Sequence, residues 1–174
     1  MRTLKYNVAT SLDGFIARPD DSYDAFLQEG DFALDYVDSW SGYDTVLMGR
    51  RTYEIGLKVG VTNPYPTLRT FVFSRTLAPS PDPAVTVIAS DPVAAVRELK
   101  AQPGRAIYLC GGGVLAALLH GAGLIDEIIV KLNPVLLGDG IRLFGDALPT
   151  TRLALRDARV YPSGVVVLAY RVPR

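Results

Sequence analysis

The sequence has few of the residues that bind metals or form cross-links. Its 174 residues include one cysteine, Cys110, and one histidine, His120. A lone cysteine excludes an intramolecular disulfide framework, and one Cys with one His argues against a zinc site. Neither sign of charge is in excess: Lys and Arg total 18, and so do Asp and Glu. No global field attracts nucleic acid or an anionic membrane, so any anion site must be local. No apolar run approaches the length of about 18 residues that suggests a membrane span. The opening "MRTLKYNVATSLDG" lacks the continuous apolar segment of a secretory leader. The expectation is a cytosolic protein with no metal, nucleic-acid or membrane partner.

What is present is ordinary for a globular chain: 49% hydrophobic and 21% charged residues. The length suits one domain, 1–174, burying roughly 70% of its unfolded surface.

Residues 3–9 alternate loosely and predict a first strand. The turn-rich loop "TSLDGFIARPDD" follows, the kind of segment that carries function. Phe32, Tyr36, Val37 and Trp40 recur at helical spacing, which predicts a helix over 31–40 with Asp31 as its cap. Strands are predicted at 44–48, 69–74 and 84–90. "DPVAAVRELKA" is a helix with Asp91 as cap and Pro92 at its first position. "RAIYLC" is a strand, and "GGVLAALLHGAG" a helix closed by glycines, with His120 against its negative end. Cys110 ends the strand as a small apolar residue. "LIDEIIVKLNPVLL" reads as one long strand, "GDG" as a turn, and 152–172 as a hairpin turning at Pro162-Ser163-Gly164. Strands alternating with helices, then a hairpin, predict a three-layer α/β/α fold. Its sheet would be mixed and mostly parallel, with an antiparallel C-terminal hairpin.

Two strand-to-helix turns carry candidate chemistry. At Gly111-Gly112-Gly113 the missing side chains let backbone N–H groups approach a ligand, and the helix that follows offers partial positive charge to phosphate. At Gly49-Arg50-Arg51-Thr52 two guanidinium groups sit at a positive helix end, where an anion between them would relieve the repulsion. Arginine grips phosphate oxygens in bidentate fashion. Ser74-Arg75-Thr76 repeats the donor set after another strand. In open α/β sheets ligands bind at the carboxyl ends of strands. Three such ends point to one extended, multiply phosphorylated ligand, a dinucleotide with an extra phosphate.

These motifs, "VATSLDGFIA", "MGRRTYE", "VFSRT", "YLCGGGVLAALL" and "NPVLLGDGIRLF", stand in an order that resembles the dihydrofolate reductase-like superfamily. Within it the chain is most similar to the reductase domain of bacterial riboflavin-biosynthesis deaminase/reductases and its stand-alone relatives. The resemblance implies NADPH as cofactor and hydride transfer to an electron-poor C=N or C=O carbon of a small heterocycle, 5-amino-6-(5-phosphoribosylamino)uracil being the candidate. It assigns Arg50, Ser74 and Arg75 to the adenosine 2′-phosphate. Gly49, Arg51 and Thr52 belong to the turn facing the pyrophosphate. Gly111, Gly112, Gly113, Val114 and Leu115 are assigned to the turn beneath pyrophosphate and ribose. Ala9 and Ile16 are assigned to the carboxamide, and Asp13 and Gly14 to a loop that closes over the cofactor. It also implies a homodimer paired through the late strands.

The substrate half departs from the pattern. Dihydrofolate reductases carry a carboxylate on the first long helix. Ala33 stands at that position, flanked by Asp31 and Asp35, the only catalytic candidates. Riboflavin-type reductases carry lysine after the Asp-Gly, where this chain has Phe15. Phe15, Trp40 and Tyr53 are candidates for an aromatic substrate wall. The other readings are a dihydrofolate reductase and a non-catalytic NADPH-binding protein.

Overall fold

The computed structural model describes residues 1–145 and 148–173. Ten strands and four α-helices occur among them: β1 Leu4–Thr10, β2 Phe15–Ala17, α1 Ala33–Ser39, β3 Tyr43–Gly49, α2 Arg50–Lys58, β4 Arg69–Phe73, β5 Val85–Ile88, α3 Pro92–Ala101, β6 Ala106–Gly111, α4 Gly113–Gly121, β7 Glu127–Leu132, β8 Ile141–Arg142, β9 Ala154–Val160 and β10 Val166–Arg171. Eight strands form one sheet in the order β5-β4-β3-β6-β1-β7-β10-β9. The pairs from β5 through to β7 are parallel, while β10 runs antiparallel to both β7 and β9.

The central strands are apolar on both faces, as a doubly covered parallel sheet requires. On one face Leu4, Tyr6, Ile107, Leu109 and Ile128 pack with Val96 and Leu99 of α3 and with Leu115, Ala116 and Leu119 of α4. On the other face Val46, Met48, Val72 and Tyr108 pack with Tyr53 of α2. Helix α1 lies on that second face, where Tyr36 meets Tyr108 with hydroxyl oxygens 3.1 Å apart. The layers are those expected. Helix α3 also starts as expected: the Asp91 carboxylate accepts from the Val93 N–H at 2.9 Å, and Pro92 follows the cap. His120 stands in the last turn of α4, its Nε2 lying 3.0 Å from Thr151 Oγ1.

Three local expectations are corrected. Helix α1 begins with Phe32 as N-cap, without a side-chain cap bond. The Asp31 carboxylate instead accepts from the backbone N–H and hydroxyl of Ser163 in the β9–β10 turn, at 3.2 and 2.8 Å. Strand β7 stops at Leu132 rather than running on to 137. Asn133 turns the chain: its Oδ1 accepts from Leu27 N–H at 3.1 Å and its Nδ2 donates to the Thr10 carbonyl at 3.2 Å, with Pro134 next. Leu124 and Ile125, expected in the same strand, are core residues of the connection before it. Finally, the loops after β1 and β7 form an additional ladder, β2 with β8.

Candidate cofactor and substrate site

Register brings the predicted turns together. Phe73 pairs with Gly49, and Met48 with Gly111, so the ends of β4, β3 and β6 lie side by side. Gly49 caps α2 and Gly112 caps α4, both with no side-chain hydrogen bond. Two adjacent helices thus open with first-turn N–H groups that no capping side chain satisfies, which is the arrangement that favours a bound anion. Gly111 has φ +155°, and a Cβ there would stand 3.4 Å from the Thr52 hydroxyl. The peptide joining Gly111 and Gly112 is cis. Gly113 has a different reason to be glycine: a Cβ on it would run into the Arg142 carbonyl, and its own carbonyl accepts from Gly145 N–H at 3.0 Å. Val114 is exposed in the first turn of α4, whereas Leu115 is buried in the core.

The arginines divide. Arg50 is exposed and, among the described residues, pairs with Glu54 one turn on, at 3.1 Å. Arg51 turns away to Asp21, at 2.7 Å, and holds the loop that follows β2. Arg75 is exposed and makes no side-chain hydrogen bond or ion pair among the described residues. Ser74 Oγ accepts from the N–H groups of Thr76 and Leu77 at 3.2 and 2.9 Å, which folds its loop.

The loop after β1 is tied to the one after β7. The Asp13 carboxylate accepts from Gly138 and Leu137 N–H at 2.7 and 3.1 Å. The Ser11 hydroxyl first, then these backbone donors, holds its pKa down at about 2. Leu12 N–H donates to Val135 and Leu143 N–H to Gly14. Ile16 lies in β2, beside β1 with its near-terminal Ala9. Gly14 and Phe15 face Arg142, Leu143 and Phe144 across a groove of about 430 Å³.

Of the aromatic candidates, Tyr53 is a core residue, 1% exposed, donating to the Thr62 carbonyl at 2.7 Å. Trp40 packs edge-on against Tyr36 and Tyr65, with ring centroids 5.4 and 5.3 Å away. Asp35 binds Arg159 and Tyr161 of the hairpin at 2.9 and 2.6 Å, and those two donors, Tyr161 first, lower its pKa. Neither Asp31 nor Asp35 is left as a free carboxylate facing the strand ends.

Residues 2–167 match the family described as the RibD C-terminal domain. This chain belongs to that family. YwjB of Bacillus subtilis, an uncharacterised protein, is 35% identical over 167 residues, 94% of each chain. A protein of Shewanella sp. PV-4, provisionally named for riboflavin biosynthesis, superposes over the full length of both chains with TM-score 0.84 and 26% identity. RibD of Acinetobacter baumannii superposes with TM-score 0.76 at 20% identity, and the chain spans 58% of its length.

In this RibD C-terminal domain, sequence reasoning missed a cluster of hydroxyls. Tyr36 Oη, Tyr65 Oη and Tyr108 Oη lie 3.1 to 3.5 Å from one another, and Cys110 Sγ lies 3.2 Å from Tyr65 Oη. The only signal for it was the spacing of four between Phe32, Tyr36 and Trp40, which marks one face of a helix. Among the described residues no group of three or more His, Cys, Asp or Glu is placed to hold a metal, and no helix is long and apolar enough to cross a membrane.

Proposed function

We propose that this chain is an NADPH-dependent reductase that delivers hydride to a small electron-poor heterocycle, with 5-amino-6-(5-phosphoribosylamino)uracil as its candidate substrate. The observation that carries the reading is the pair of uncapped helix starts at Gly49 and Gly112, flanked by the exposed guanidinium groups of Arg50 and Arg75. This donor set suits a dinucleotide bearing a third phosphate. The first-turn N–H groups of α2 and α4 would hold the pyrophosphate. Arg50, Arg75 and the Ser74 loop would take the 2′-phosphate. The nicotinamide would supply the hydride, and the backbone at Ala9 and Ile16 would orient its carboxamide. The remaining contribution of this chain is orientation and exclusion of water.

The dihydrofolate reductase alternative loses support because Asp31 and Asp35 both serve the β9–β10 hairpin. A second copy of this chain is the proposed partner. The outer strand β9 leaves Leu155 58% and Val160 77% exposed at the open edge of the sheet. Burying such residues is favourable by about 1.5–3 kcal/mol for each side chain fully covered. Sedimentation of the wild type against Val160→Lys tests this; a monomeric wild type overturns it.

The function is tested by thermal shift and by NADPH oxidation. NADPH should raise the melting temperature more than NADH does, and the uracil substrate should drive loss of NADPH absorbance. Equal shifts defeat the assignment of Arg50 and Arg75. Binding without oxidation leaves the non-catalytic reading.

A further inference from the structure

Helix α1 presents Phe32, its N-cap, Tyr36 and Trp40 toward the sheet. Phe32 stacks against the Lys131 ammonium of β7, 4.2 Å from the ring centroid. Tyr36 meets Tyr108 of β6. Between β7 and β6 runs β1, and there Ala9, in register with Lys131, is only half-buried although its strand is central. Cys110, the neighbour of Gly111, shares this face with Tyr108 and Ala9. The three tyrosines therefore meet beside Cys110, the residue before the glycine turn, on the face where Ala9 of the central strand is half-buried.

The protons in this cluster can be counted. Tyr108 is 3% exposed, and its hydroxyl lies within reach of Tyr36 Oη, Tyr65 Oη and the Cys110 sulfur. Tyr65 has Cys110 Sγ as a further partner. In the arrangement where Tyr108 donates to Tyr36 and Tyr65 donates to the sulfur, the Tyr36 proton is free to leave the cluster. Tyr36, 36% exposed as a residue, is the least buried of the three. Burial raises the pKa of all three phenols, the nearby Cys110 adding to it, so they stay protonated donors near neutrality.

We propose that Tyr36 is the proton donor of this site, held in place by Tyr108 and Tyr65. The assignment rests on the reductase reading above, with a reduced nicotinamide as the electron source. Hydride forms a C–H bond at the electron-poor carbon of the substrate, and the C=N or C=O π pair moves to the heteroatom. The Tyr36 O–H bond breaks and its proton goes to that heteroatom. The phenolate, on the least buried of the three tyrosines, recovers a proton from water. The site thus needs no carboxylic acid, which accords with Asp31 and Asp35 being bound elsewhere.

Trp40, the single tryptophan, touches Tyr36 and Tyr65 and reports on this spot. Its emission is titrated with 5,6-diaminouracil in the presence of NADP⁺, for the wild type, Tyr36→Phe and Tyr65→Phe. Turnover of 5-amino-6-(5-phosphoribosylamino)uracil is measured on the same proteins. The wild type should show a saturable change. Tyr36→Phe should weaken the probe by about 5–10-fold, one hydrogen bond, and lower kcat by roughly 10²-fold or more with a smaller change in KM. Tyr65→Phe should lose less, and the NADPH-induced thermal shift should be the same in all three. Tyr36→Phe with wild-type kcat overturns the proposal, as does a wild type whose emission ignores the probe. Absence of any NADPH shift in the wild type defeats the reductase reading itself and this assignment with it. An intact shift with an unaffected Tyr36→Phe defeats this assignment alone.

Discussion

The Arg142 carbonyl lies over Gly113 so closely that no Cβ could fit between them. Strand β8 is thereby seated on the first turn of α4, and the Gly145–Gly113 hydrogen bond closes the contact. The neighbour is backbone, which cannot swing aside as a side chain can. Gly113→Ala should therefore overpack the junction and cost about 1–3 kcal/mol. In a domain of this size that lowers the melting temperature by roughly 2–12 °C. A calorimetric scan of the variant checks it, and an unchanged midpoint would mean that the 142–145 segment yields freely.

Arg50 tests the cofactor side without disturbing the fold. Its partner Glu54 is an exposed i,i+4 neighbour, a pair worth about 0.3–0.5 kcal/mol. Arg50→Ala should leave the melting temperature of the free protein nearly unchanged. NADPH affinity should fall by about 1.5–3 kcal/mol, roughly 10–100-fold, because a charge-assisted contact is lost. NADH affinity should change much less. Isothermal titration with both nucleotides separates the two effects; an equal loss for both would assign Arg50 to the pyrophosphate.

Legibility in the sequence followed the range of the interaction. Asp91-Pro92 announced α3 because a cap and its N–H are two residues apart. The strand-glycine-helix turns at 49 and 111 were legible for the same reason. Their adjacency needed only the rule that parallel strands bring their carboxyl ends together. Asp31 and Asp35 were misleading because their partners stand 124 to 132 residues away on the hairpin. Strands β2 and β8, three and two residues long, are too short to show a period. The hydroxyl cluster draws on positions 36, 65 and 108, on a helix, a loop and a strand, and no local pattern joins them. The fold and the adjacency of the glycine turns were therefore readable, while the hydroxyl cluster and the partners of Asp31 and Asp35 were not.

The Asp13 latch between the two loops has a defined pH range. Its carboxylate is held at about 2, below the ordinary carboxylate value. A depressed pKa means that the stabilisation is complete above the ordinary value and is lost as pH falls through the folded one. Amide exchange of Gly138 and Leu137 in the wild type should follow intrinsic rates between pH 8 and 5, with constant protection, and lose protection only in strong acid. Asp13→Ala should abolish that protection throughout. Protection that declines already near pH 6 would point to another titrating group.

Asp31, just before α1, and Asp35, within it, offer the sharpest separation between a folate-type site and the one argued above. Asp31 and Asp35 accept four hydrogen bonds from Ser163, Arg159 and Tyr161, so removing them should loosen the β9–β10 turn. Asp35→Asn keeps an acceptor for Tyr161 but gives up the charge that Arg159 meets. Both Asp31→Asn and Asp35→Asn should retain kcat within about twofold, since exposed pairs of this kind contribute little. Their effect should appear as faster amide exchange at 161–165. A folate-type site predicts the reverse: turnover falling by roughly 10²-fold or more in one of them, as when a general acid is removed, with exchange in the turn unchanged. Steady-state kinetics and exchange on the same two variants decide between these outcomes, because each mechanism moves one observable and leaves the other still.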